Sequence, residues 1–138
     1  MADDDPLEPL RAELAQLRHR TGNVRGSIIG GVDGLLLFQE GATGMDPYDL
    51  AALAAAAYGI GRQTGHVLNF GGHQETTIHT AGGYFTVYSV NDRTLLAVVG
   101  EDGLNVARLN LEFKGAVERI DQLVRSGADA LTVLRPRL

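Results

Sequence analysis

The chain predicts an α+β domain with the order helix, two strands, helix, three strands, helix. Three observations carry this. Apolar residues recur at spacings of three and four in three separate stretches, the period of an amphipathic helix. Between them lie five short apolar or β-branched runs bounded by Gly, Asn and Asp. Helices fall between groups of strands rather than between every pair, which disfavours parallel βαβ winding.

The first helix opens at Asp5-Pro6, where an acidic cap precedes a proline that loses no hydrogen bond. Leu7, Leu10, Leu14 and Leu17 form one narrow stripe, read as a helix lying on its own sheet. Thr21-Gly22 ends it. The hairpin NVRGSIIGGVDGLLLFQEG follows, from Asn23 to Gly41. Asp33-Gly34 between apolar runs predicts a tight primed turn with positive φ at its central residues. Gly26, Gly30 and Gly31 weaken the first strand unless another backbone comes close. The run Leu35 to Phe38 is apolar on consecutive residues, so both faces of the second strand are expected to be covered.

Asp46-Pro47 repeats the cap-and-proline start, and the second helix is expected to run to about Thr64. Leu50, Leu53, Ala57 and Ile60 mark an expected core face. Tyr48, Ala52, Ala55 and Gly59 mark a second face of small residues. No charge occurs from Leu50 to Gly61, although a helix face in water normally carries some. Two covers are therefore expected, the sheet and something else. Another helix of the domain could supply the second. The reading adopted is the same helix of a second chain, through an isologous contact. Gly59, Gly61 and Gly65 do not fit GxGxxG, and GxxxxGK[ST] is absent, so these glycines are read as permitting close packing.

His73 to Thr80 is polar and β-branched, as suits an edge strand. Tyr84 to Val90 alternates, with Phe85 and Val87 on one face and Tyr84, Thr86 and Tyr88 on the other. Thr94 to Val99 is apolar throughout and reads as central. The three make an antiparallel meander. The last helix begins at Asn105 and runs through Val106, Leu109, Phe113, Ala116, Val117, Ile120, Leu123 and Val124 to a stop at Ser126-Gly127. Residues 1–4 and 127–138 are expected to be tails, leaving 5–126 as a single domain.

Composition narrows the function classes. A 138-residue chain with 44% hydrophobic residues can bury one core. A net charge of -5 argues against a nucleic-acid partner, which usually faces a basic stripe. There are no cysteines, so disulfides and thiol chemistry are excluded. The longest apolar run, Leu50 to Tyr58, is too short to cross a bilayer. The acidic start lacks the basic and apolar regions of a signal peptide. A soluble cytoplasmic protein without membrane insertion is expected.

No constellation points to catalysis. His66, His73 and His79 match no common zinc spacing. On a straight strand His73 and His79 would share a face about 20 Å apart, too far for one metal. No serine occupies a GxSxG elbow. Arg25, Arg62 and Arg93 lie near element ends, where an arginine finger would have to be, but read as ordinary surface charges. No catalytic residue, metal or cofactor is expected.

The element order, the segment VRGSIIGGVDGLLLF, the alanine-rich second helix and the helix NVARLNLEFKGAVERIDQLV together resemble the Roadblock family, also called the dynein light-chain Roadblock family, over about Pro6 to Arg125. The chain looks like its short, free-standing actinobacterial members. The resemblance implies a five-stranded antiparallel sheet, two helices on one face and one on the other. It implies a homodimer that pairs the second helix and third strand across a twofold axis. Carried onto this chain, that interface is Tyr48, Ala52, Ala55, Gly59 and Gln63 on the helix, with Gln74, Thr76 and Ile78 on the edge strand. Family members are not enzymes; they bind small GTPases or motor subunits, and some bacterial ones stimulate GTP hydrolysis by their partner. The expected function is a non-enzymatic dimeric regulator of a small Ras-like GTPase. The rival is a ligand-binding sensory module of PAS or profilin-like type, which would need an apolar pocket with a few polar groups.

Overall fold

The computed structural model describes residues 5–133. Its elements are α1 (Glu8–Thr21), β1 (Val24–Gly31), β2 (Leu36–Gly41), α2 (Pro47–Val67), β3 (Glu75–Thr80), β4 (Gly83–Ser89), β5 (Thr94–Glu101), α3 (Val106–Ser126) and a short α4 (Ala128–Val133). The strands form one antiparallel sheet in the order β2-β1-β5-β4-β3. The apolar run of β5 is central, as its composition predicts, and β3 is an edge.

Two cores follow from the alternation of side chains across the sheet. On one face Leu10, Leu14 and Leu17 of α1 and Leu109, Phe113 and Ile120 of α3 pack on Ile29, Leu96 and Val98. Tyr88 stacks on Phe113 with ring centroids 4.2 Å apart, and its hydroxyl is bonded to the Asn110 side chain. Burial first, and then the charge of Glu75, push the Tyr88 phenol well above its ordinary range. On the other face Leu50, Ala51, Ala54 and Ala57 of α2 pack on Ile28, Val87, Leu95 and Ala97.

The hairpin differs from expectation in two details. A primed turn needs positive φ at two central residues. Only Gly34 has it, at +90°, and the ring closes from the Gly34 N–H to the Gly31 C=O at 3.0 Å. The register also shifts between Ile29 and Gly30, which pair with Phe38 and Leu36 and leave Leu37 as the extra residue of a bulge. Leu37 and Phe38 therefore both join the α1–α3 core. The run of consecutive apolar residues is explained by this bulge, with only Leu36 turned to the α2 side. Gly26 shows the close approach its glycine implies: a Cβ there would lie 2.6 Å from the Glu40 carbonyl oxygen.

Beyond Gly127 the segment expected to be a tail begins with α4. Leu131 is buried in the α1–α3 core, so the structured chain continues past 126. Residues 1–4 and 134–138, the rest of the expected tails, lie outside the described residues.

Candidate functional site

The site is built by α2 and the edge β3. The helix starts where Asp46 Oδ1 accepts from the Tyr48 N–H at 2.9 Å, with Pro47 in the first turn. Its sheet-facing stripe is small: Ala51, Ala54 and Ala57, then Gly61 and Gly65. A Cβ at Gly61 would lie 2.4 Å from His73 Cδ2, and one at Gly65 2.2 Å from the Gly71 carbonyl oxygen. The glycines thus let α2 lie close to the loop that leads into β3, as their reading for close packing anticipates. Gly59 differs, with open space where its side chain would be.

This close seat rolls the helix away from the expected orientation. Leu53 and Ile60, expected in the core, face outward, and Ile60 is 71% exposed. Alanine and glycine take most of the inward positions, with Leu50 beside them in the core, while Leu53 and Ile60 are left outside. Leu53, Ala56, Ile60, Gln63 and Val67 fall at spacings of three and four and make one continuous exposed flank. Leu53 and Ile78 of β3 line one groove, so this flank faces the open sheet edge. The groove encloses about 450 Å³ and runs between Met45, Leu50 and Leu53 on one side and Ile78 and Phe85 on the other, with Arg25 as its one charged wall residue. Of nine large apolar side chains that are exposed among the described residues, eight lie between Met45 and Ile78. Their concentration on α2 and its two ends marks one surface, since scattered ones would need no explanation.

The residues expected at a dimer seam divide into three sets. Tyr48, Ala52, Gly59 and Gln63 are exposed along α2. Ala55 is half-buried and turned toward the hairpin, its Cβ 3.8 Å from the position a Cβ would take on Gly34. On the edge side, Gln74 and Ile78 are exposed, whereas Thr76 is turned inward: its hydroxyl donates to the Ala57 C=O at 3.3 Å and contacts His73 Nε2 at 2.7 Å. The expected list passes over Leu53, Ile60, Val67 and Phe70. The seven-residue spacing of Leu53, Ile60 and Val67 is the signal that could have found the first three.

His73 does not share a face with His79. It precedes β3 and folds under α2, with Nδ1 2.7 Å from Ser89 Oγ and its ring edge-on to Tyr58. Burial lowers its pKa below the ordinary histidine value. His79 lies on the opposite face, stacked on Tyr84 at 4.0 Å. The ring of His73 pins the loop after α2 to the end of β4, which fixes where β3 begins.

Among the candidate arginines, Arg25 lines the groove and Arg62 a polar hollow at the C-terminal end of α2 with His66 and Asn69. Arg93 stands in the β4–β5 turn, where its carbonyl accepts the Val32 N–H at 3.0 Å. The structure does not bring the three together in one pocket.

The model of the Roadblock/LC7 domain matches residues 10–100, two thirds of the chain. The chain belongs to the Roadblock/LC7 domain family. It is 22% identical to a Roadblock/LC7 domain from Streptomyces avermitilis, with a TM-score of 0.68 over 88% of this chain and 97% of that one. It superposes on Myxococcus xanthus MglB with a TM-score of 0.77 at 16% identity, over 89% and 92% of the two chains. It is 26% identical to an uncharacterized protein of Methanocaldococcus jannaschii over 74% of this chain and 86% of that protein. Roadblock/LC7 domains are non-catalytic adaptors and regulators, and this chain is not an enzyme. No helix among its described residues is long and apolar enough to cross a membrane.

Proposed function

We propose that this Roadblock/LC7 chain is a cytoplasmic homodimeric scaffold that binds a small Ras-like GTPase and modulates its GTP cycle. The observation that carries the proposal is the uncharged flank Leu53–Ala56–Ile60–Gln63–Val67 running beside the open edge of β3. An apolar helix flank next to unpaired strand N–H and C=O groups is covered most economically by a second copy. Its β3 extends the sheet and its α2 meets the flank. The interface proposed is therefore the exposed part of the expected set, Tyr48, Ala52, Gly59, Gln63, Gln74 and Ile78, with Leu53, Ala56, Ile60 and Val67 at its centre. Ala55 and Thr76 lie behind it, and backbone pairing along β3 carries the seam there.

Family likeness supports the GTPase partner, because some bacterial Roadblock proteins stimulate GTP hydrolysis by theirs. The scaffold would work by positioning the partner's own catalytic groups, and no side chain of this chain is assigned to the reaction. The test is GTP turnover by a small Ras-like GTPase of the same organism, with and without stoichiometric protein. A changed rate together with a stable complex supports the reading. An unchanged rate with no complex refutes it, and ligand-dependent melting with an apolar ligand would favour the sensory module.

A further inference from the structure

The end of α2 carries an aromatic side chain with nothing to pack on. Asn69 takes a φ of +58°, and the Phe70 N–H donates to the Gly65 C=O at 2.8 Å while the Asn69 N–H donates to the His66 C=O at 3.2 Å. This is a Schellman termination, in which the residue at the Phe70 position usually rests on an apolar side chain at the Gly65 or Thr64 position. Here those positions offer a glycine and a threonine. Gly65 cannot be enlarged, because the Gly71 carbonyl oxygen occupies the space of its Cβ. Phe70 is left 80% exposed, beside Val67 and Leu68, which are also exposed. At the other end of the same helix, the groove of about 450 Å³ beside Met45, Leu50 and Leu53 is open and apolar.

The two features belong to one chain and cannot meet within it. Met45 and Phe70 flank a helix of 21 residues. At 1.5 Å per residue that is about 30 Å. They do meet between two copies. If the β3 edges pair, the twofold passes the middle of β3. That point lies alongside Leu53 to Ala57, given the Thr76–Ala57 bond and the shared groove of Leu53 and Ile78. If the apolar flank instead matches itself, the axis passes Ile60, which is seven residues from both Leu53 and Val67. The axis is thus bracketed between about Leu53 and Ile60. An antiparallel α2 pair about a point in that range brings Phe70 of one copy opposite a position between about 36 and 50 of the other, a span that takes in Met45 and Leu50 of the groove.

We infer that Phe70 of each copy plugs the Met45–Leu53–Ile78 groove of a second copy, so that each groove is completed by the partner's aromatic ring. This rests on the dimer reading above and goes beyond it by naming a reciprocal anchor outside the helix seam. A large rigid side chain entering a preformed apolar groove is the kind of contact that dominates binding energy in an interface.

The absence of cysteine makes a direct test available. In the double variant Met45→Cys/Phe70→Cys, mild oxidation is expected to give covalent dimers on a non-reducing gel, because a disulfide needs its Cα atoms within about 7 Å and the length of α2 keeps the two positions of one chain too far apart to bridge. Each single variant should stay uncrosslinked, since 45–45 and 70–70 pairs fall far from the axis. Phe70→Ala, which removes an exposed ring and leaves the monomer fold intact, should raise the dimer dissociation constant by roughly tenfold or more. Sedimentation of the unmodified chain is run alongside. A dimeric mass without the 45–70 crosslink and without weakening by Phe70→Ala overturns the plug and leaves the dimer standing. A monomeric mass at all concentrations overturns both.

Discussion

Among the described residues, Arg18 and Glu40 form the ion pair with the most buried carboxylate, Glu40 being 6% exposed at the side chain against 28% for Arg18. The guanidinium meets the carboxylate with Nε and Nη2, each at 3.0 Å, and these hydrogen bonds raise the Arg18 pKa further above its ordinary value. The two partners are not equivalent. Arg18→Met strands a carboxylate that cannot reach water and should cost about 3 kcal/mol. Glu40→Gln leaves an arginine that can turn to solvent and should cost only about 1–2 kcal/mol. Urea midpoints at constant slope measure both. His73 gives a pH dependence of defined sign. Its folded pKa lies below 6.5, so the unfolded chain takes up the proton first as pH falls. The melting temperature should therefore fall as pH is taken below about 6.5, and His73→Gln should flatten that fall. Neither feature was legible in the sequence. Arg18 and Glu40 are 22 residues apart with no periodicity linking them, and His73 reads as a strand residue until the glycines after α2 are seen to bend the chain. Gly26 was legible, because a glycine inside an apolar strand demands a close neighbour; Gly26→Ala should cost about 1–3 kcal/mol as β2 is pushed aside.

Each helix reports how its inward face was chosen. The leucine stripe of α1 and the apolar series of α3 are read correctly from spacing, because there the largest side chains are the buried ones. In α2 that rule fails beyond the first turn. The helix packs on the sheet through Leu50 and then through the small Ala51, Ala54 and Ala57, while the larger Leu53 and Ile60 face out. Ala54→Leu should overpack this contact and cost about 1–3 kcal/mol or more in monomer stability. Leu53→Ala should leave the monomer within about 0.5 kcal/mol of the parent, since its side chain is half in water already. Thermal melts of both variants at low protein concentration make the comparison, and the opposite ranking would show that α2 is seated the other way round. The short α4 escaped notice because six residues with one buried leucine carry too little periodicity to register.

At the scale of the whole molecule, one open edge of the sheet carries the proposal. The sheet ends at β3 in an edge that no strand among the described residues pairs with, and the helix beside that edge turns an uncharged row outward. The pattern that made the second helix conspicuous, twelve residues without a charge, includes Leu53 and Ile60, which were expected in the core and stand outward instead. The GTPase-regulating role proposed above needs the paired platform, so its foundation is the state of association. Sedimentation equilibrium of the 14.7 kDa chain and of Ile60→Glu tests it most directly. The account predicts twice the chain mass for the parent and the single chain mass for the variant, with unchanged circular dichroism. A parent that sediments as a monomer at every concentration, or an Ile60→Glu variant that stays dimeric, would contradict it.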